Sequence, residues 1–176
     1  MRQLWAPWRM AYIQDDGERP AGCIFCLKAA EDRDDENLIL LRSASCFALL
    51  NLFPYNNGHL MIAPYQHVPS ISDLDPETLT DLMVTVQRCL AALQAAMGPQ
   101  GYNLGINQGA AAGAGIADHV HFHVVPRWIG DTNFMPVLAD VKVMPEYLQT
   151  TLRQLREKLE GEPHGEPHGE PHGEPH

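Results

Sequence analysis

Apolar and polar positions change rhythm several times along the chain, and each change marks an element. Leu38 to Arg42 and Ser45 to Asn51 are short apolar runs that read as two strands, and Asn56-Asn57-Gly58 is a turn signal leading into a third strand at His59 to Ala63. The rhythm then becomes helical: Leu79, Leu82, Met83, Val86, Leu90, Leu93 and Met97 recur at the spacing of one helix face. Asp75 offers an N-cap with Pro76 at the first helical position, and Gly98-Pro99 stops the run. Two further strands follow at Tyr102 to Asn107 and Val120 to Arg127, separated by the small-residue loop Gln108 to Ala117, and a last helix runs from about Pro145 to Leu159. Strands, one amphipathic helix, more strands and a terminal helix predict an α+β domain: an antiparallel sheet of about five strands, with one central and one C-terminal helix covering one face.

Composition narrows the class. With 176 residues, 45% of them hydrophobic and 19% charged, the chain has enough apolar surface for one globular domain. From Gly161 the motif Gly-Glu-Pro-His repeats to the end with nothing apolar to bury, so residues 161–176 are expected to be a disordered tail, with residues 1–22 an N-terminal extension and residues 23–160 the folded domain. The tail's glutamates take the formal charge from −6 to −10. Either value argues against long nucleic acids, which need clustered Lys and Arg, but leaves room for one small anion in a local pocket. The chain has no apolar stretch of membrane-spanning length and no signal-peptide core at its start, so a cytoplasmic location is expected. Cys46, in a strand, and Cys89, on the apolar helix face, read as buried small residues.

The chemistry concentrates in His119-Val120-His121-Phe122-His123-Val124-Val125. In a strand, three histidines at alternate positions project from one face while Val120, Phe122 and Val124 enter the other. Such a row is open to three readings: imidazoles on a half-exposed strand, a metal centre, or nucleophilic catalysis by a neutral imidazole. The adjoining loop, with Gly109, Gly113 and Gly115 among alanines, lets backbone N–H groups converge on a phosphate oxygen, which favours phosphorus chemistry. His59, at a turn, is equally a pocket residue or a structural one.

The row resembles the signature of the histidine triad family, H-φ-H-φ-H-φ-φ with φ apolar, and matches it completely. The resemblance extends through Cys23-Ile24-Phe25-Cys26, Phe47 to Asn51, Gly58 to Pro64 and Pro126-Arg127. The flanks Leu4 to Arg9 and Arg127 to Phe134 resemble the branch that includes diadenosine tetraphosphate phosphorylases. The resemblance implies a nucleotidyl hydrolase or transferase, commonly a homodimer, acting on an adenine nucleotide substrate, with no organic cofactor. It assigns His121 as nucleophile on the α-phosphorus and His123 as phosphate contact. Asn51 falls where relatives bind the nucleoside sugar, and Asn107 with Gly113, Ala114, Gly115 and Ile116 where they contact phosphate. Gly115-Ile116 stands in place of a polar Gln-Ser pair, so backbone donors must do more there.

Cys23 and Cys26 have ligand spacing for tetrahedral zinc and need two more donors, for which His67 and His119 are candidates. The resemblance assigns those partners: the His of Pro64-Tyr65-Gln66-His67 and the first His of the row. A closed set of two Cys and two His leaves no open position, which makes such a zinc structural; a redox role for the pair lacks a strand-then-helix context. Hydrolysis, phosphorolysis and phosphoramidate cleavage share one first half-reaction and stay open at this point. A non-catalytic nucleotide-binding module and an enzyme with one catalytic ion held by the three histidines are the competing classes. Trp5, Trp8, Tyr12 and Trp128 are expected to pack as a local aromatic cluster holding the N-terminus, with stacking on a base as the alternative.

Overall fold

The computed structural model describes residues 22–131 and 146–160. Trp5, Trp8, Tyr12, Pro145 and the Gly-Glu-Pro-His repeats lie outside them. Five strands form one sheet: β1 (Ile39–Arg42), β2 (Cys46–Leu50), β3 (Leu60–Pro64), β4 (Gly101–Ile106) and β5 (Phe122–Arg127), in the order β1-β2-β3-β5-β4 with every neighbouring pair antiparallel. Among the described residues four helices accompany them: α1 (Ile24–Ala30), the single turn α2 (Asp34–Asn37), α3 (Pro76–Met97) and α4 (Leu148–Glu160). The class is α+β, as the pattern predicts. No helix among the described residues is long and apolar enough to cross a membrane.

The caps read from the sequence set the length of α3. Asp75 accepts the Thr78 N–H at 2.7 Å, Pro76 occupies the first turn, and Gly98 ends the helix in the left-handed region at φ 56°. Its face of Leu82, Val86, Cys89 and Leu93 joins Leu152, Leu155 and Leu159 of α4 over Leu40, Ala48, Leu50, Leu60, Ile62 and Val124 of the sheet. Cys46 and Cys89 are fully buried there, and burial pushes the Cys46 thiol up to about 11.

The sheet is covered on both faces, which differs from the expected single covered face. Residues of opposite parity, Ile39, Phe47, Leu49, Met61 and Ala63, pack around Phe25 of α1. Seven residues are too few to show helical periodicity, and Cys23 caps α1 without a side-chain hydrogen bond, so the sequence carries no start signal. The two covers explain why β2 and β3 are buried at every position. α1 is fastened at its C-terminal end by Arg42 of β1, whose guanidinium donates to the carbonyls of Ala29 and Glu31 at 2.8 Å each and pairs with Asp34.

Gly58 closes the turn before β3 at φ 75°, and a Cβ there would meet Leu93 Cδ2 at 2.9 Å and Met97 Sδ at 3.0 Å. Close packing of α3 on this turn therefore needs glycine.

Candidate active site and metal centre

The histidine row is only partly strand. β5 begins at Phe122, because Val120 donates its N–H to the Val68 carbonyl (2.7 Å) rather than to the β3 ladder. This corrects the expected strand from Val120. Phe122 and Val124 still turn toward the helices, while His123 pairs across the sheet with Met61 and so faces the α1 side. His119 and His121 reach the same side, since both rings pack on Phe25, with centroids 5.1 and 4.8 Å away. The rings of His121 and His123 are 4.8 Å apart.

Hydrogen bonds orient each ring. His121 Nδ1 lies 2.9 Å from the His119 carbonyl, so the neutral ring donates there and leaves the Nε2 lone pair available. Burial pushes the His121 pKa down, opposed by that backbone bond, and keeps the imidazole neutral at pH 7. His59 is fully buried, and its Nδ1 accepts the Tyr55 N–H at 3.0 Å. Its Nε2, 2.9 Å from His123 Nδ1, is then the donor, and His123 is left with its own proton on Nε2. Through this contact His59 touches the row directly. Tyr55, which sequence reasoning did not single out, stacks on His59 with ring centroids 4.7 Å apart.

The remaining candidates sit around this row. Asn51 follows β2 directly; its side-chain oxygen accepts the Phe53 N–H at 2.9 Å and its amide nitrogen lies 3.3 Å from His59 Nδ1. Asn107 follows directly on Ile106, the last residue of β4, which pairs with Phe122 at the start of β5. Gly109, at φ 77°, opens a 3-10 turn over Ala110–Ala112, and Gly113, at φ 82°, closes it. Gly113 and Ala114 donate their N–H groups back to Ala110 and Gly109, so those two donors are engaged within the turn. Gly115 is exposed, whereas Ile116 packs against the Phe25 cluster and anchors the loop to the core. Across from His123 stands Gly105, where a Cβ would meet nothing within 4 Å.

Cys23, Cys26, His67 and His119 converge with all ligand atoms within 4.8 Å of one another. Cys23 Sγ is 3.3 Å and Cys26 Sγ 3.6 Å from His119 Nδ1, Cys26 Sγ is 3.4 Å from His67 Nδ1, and the two Nδ1 atoms are 3.2 Å apart. Zinc bonds of roughly 2.0 Å to nitrogen and 2.3 Å to sulfur place tetrahedral ligand atoms about 3.3 to 3.8 Å from one another, so this set fits zinc. His119 Nε2 donates to the Pro64 carbonyl at 2.9 Å, which leaves Nδ1 deprotonated as a ligand must be. Burial pushes the Cys26 thiol up, and its hydrogen bond and charge repulsion with Cys23 add to this; a divalent cation among these groups reverses that preference. Two of the three row histidines thus serve one arrangement and His119 another, which argues against a single ion held by all three.

At the far end of β5, Arg127 grips Asp131 through Nε at 2.6 Å, and Asn56 and the Trp128 N–H reach the same carboxylate. These partners, the guanidinium first, hold Asp131 at about 2.

An antiparallel sheet presenting a buried neutral imidazole, an oriented histidine donor and a separate Cys2His2 cluster defines a histidine-row α+β protein. The chain belongs to the HIT family: the model of the HIT domain matches residues 33–128. A protein of Mycobacterium tuberculosis (strain CDC 1551 / Oshkosh) called AP-4-A phosphorylase is 35% identical over 169 residues, covering 93% of this chain and 87% of its own. The asymmetrical bis(5'-nucleosyl)-tetraphosphatase of Schizosaccharomyces pombe is 34% identical over 89 residues, 51% of this chain and 48% of its own. Among solved structures, a Zn-bound histidine triad family protein from Mycobacterium smegmatis superposes with a TM-score of 0.62 at 25% identity, covering 79% of this chain and 94% of its own.

Proposed function

We propose that this protein is a nucleotidyltransferase that cleaves dinucleoside polyphosphates such as diadenosine tetraphosphate, with His121 as covalent nucleophile. The observation that carries the proposal is the His121 ring itself, neutral by burial and tethered through Nδ1, with Nε2 left to attack. In the first step the Nε2 lone pair forms a bond to the α-phosphorus and the bridging P–O bond breaks, its electron pair leaving on the terminal phosphate oxygen of the departing nucleoside polyphosphate while the phosphorylated His121 ring takes up the positive charge. His123 donates its Nε2–H to a phosphate oxygen, joined by the loop N–H groups of Gly115 and Ile116, with Asn107 beside them and Asn51 at the sugar. In the second step an acceptor oxygen attacks the phosphorus, displaces His121 and restores the neutral ring. We assign inorganic phosphate as that acceptor, on the ground that similarity to the AP-4-A phosphorylase spans nearly the whole chain while similarity to the tetraphosphatase spans half of it.

The Cys2His2 cluster would hold a structural zinc that ties α1 to the histidine row and takes no part in bond making. Among the described residues no strand pairs with the outer edge of β4, where Leu104 is exposed, and we assign that edge to a second copy of the chain in a homodimer.

The test is product analysis with diadenosine tetraphosphate. Phosphorolysis yields ADP and ATP and requires inorganic phosphate; AMP and ATP without phosphate would establish hydrolysis instead. His121→Asn is expected to retain substrate binding and lose at least about a thousandfold in turnover. Equal turnover in that variant overturns the nucleophile assignment.

A further inference from the structure

We infer that Phe25 is a positioning residue for the His121 imidazole, a back wall carried into place by the two cysteines that flank it. The inference rests on reading His121 as the nucleophile.

An imidazole that reacts through one nitrogen has a geometric weakness. The torsion about its ring bond is broad and nearly two-fold, so a half turn exchanges nitrogen for carbon at both edges and removes Nε2 from its line of attack. The single bond from Nδ1 to the His119 carbonyl opposes that turn, but one hydrogen bond of ordinary strength favours one orientation by only about tenfold. A close-packed wall adds what the hydrogen bond lacks, because a flat ring turning against it must displace buried atoms.

Phe25 has the properties of such a wall. It is fully buried, its ring lies 4.8 Å from the His121 ring at an interplanar angle of 41°, and it also meets His119 at 5.1 Å. The His121 ring also meets that of His123 edge-on, at 4.8 Å and 73°. Phe47 meets Phe25 only edge-on, with ring centroids 6.5 Å apart. Phe25 cannot retreat along the chain, since Cys23 and Cys26 stand on either side of it with their sulfurs against His119 and His67. The same metal cluster therefore fixes the residue that bonds to His121 and the residue that packs on it. A ligand spacing of C-x-x-C leaves room inside it for an aromatic ring, and here that ring faces the nucleophile.

A residue serving only as core would lower stability and leave the chemical step alone. The full-length, zinc-loaded protein is to be compared with Phe25→Leu, Phe25→Met and, as control, Phe47→Leu, which thins the same core cluster without touching His121. Four quantities are measured: metal content, kcat and KM with diadenosine tetraphosphate, the single-turnover rate of nucleotidyl-histidine formation, and the imidazole nitrogen spectrum of His121. Both Phe25 variants are expected to keep zinc and hold KM within about threefold, while kcat and adduct formation fall roughly 10- to 100-fold, as misorientation of a reacting group does. Their His121 nitrogen signals are expected to move from a single Nδ1–H form to a mixture of the two tautomers. Phe47→Leu is expected to lose stability and keep kcat. Unchanged kcat in both Phe25 variants, or an equal loss in Phe47→Leu, overturns the inference. Should Phe25→Leu fail to fold, the more adaptable methionine carries the comparison. Should the wild type form no adduct on His121, the nucleophile reading falls, and the nitrogen spectrum still reports whether Phe25 holds the ring.

Discussion

At His123 the position of a proton is decided two groups away. The Tyr55 N–H fills His59 Nδ1, His59 must then donate from Nε2, and His123 is left with its proton on Nε2. His59→Phe keeps a ring against Tyr55 and removes that donor. Its kcat is expected to fall about 100-fold, the lower range for a misdirected acid–base group, with KM nearly unchanged; steady-state kinetics decide, and wild-type kcat would remove His59 from the machinery. One residue earlier, Gly58→Ala would add a Cβ to a left-handed residue already in contact with Leu93 and Met97. Denaturant melting is expected to show a loss of roughly 2 to 4 kcal/mol from strain and overpacking together.

Among the elements, α1 depends on its two fastenings more than on its own helix propensity. Seven residues give too few backbone bonds to hold a helix alone, so the Cys2His2 cluster at one end and Arg42 at the other stabilise it. Metal analysis is expected to find one zinc per chain, and Cys26→Ser or chelation is expected to release it and lower Tm by several degrees, since about 1 kcal/mol shifts Tm by 2 to 8 °C in domains of this size range. Retained zinc in Cys26→Ser would place the ion elsewhere.

The same contrast explains what could be read before the structure. α3 was legible to the residue because Asp75, Pro76 and Gly98 declare its ends, and its 22 residues repeat the apolar face several times. α1 offers neither signal, and with it went the second covered face and the role of Phe25. The start of β5 was misplaced for a different reason: the alternation continues through Val120, but its N–H is taken by Val68, a partner far away in sequence. The four metal candidates do come together, although spacing alone supplied only the two cysteines, and His67 and His119 followed from resemblance. Nothing local in the sequence pointed to the His59–His123 contact, which exists because β3 and β5 are neighbours in the sheet.

For the molecule as a whole, the end of β5 is pinned to the turn before β3 through the Asp131 carboxylate, shared by Arg127, Asn56 and the Trp128 N–H. Its folded pKa of about 2 lies below the ordinary carboxylate value of 3.8, so the contribution is complete above pH 3.8 and is lost as pH falls toward 2. Arg127 is 43% exposed, so the gain is modest after solvent screening. Acid unfolding of Asp131→Asn is therefore expected to show a shallower dependence on pH across that window than the wild type; an identical slope would deny the clamp a role.

The bare Gly105 opposite His123 has a practical consequence. Because a Cβ there would touch nothing within 4 Å while sharing the face of His123, this position is a natural attachment point for a reporter. A cysteine introduced at residue 105 and labelled with a small environment-sensitive dye would sit on an open stretch of strand within sight of the reacting centre. Arrival, cleavage and release of a nucleotide could then be followed in real time as separate optical events, with no change to any of the histidines.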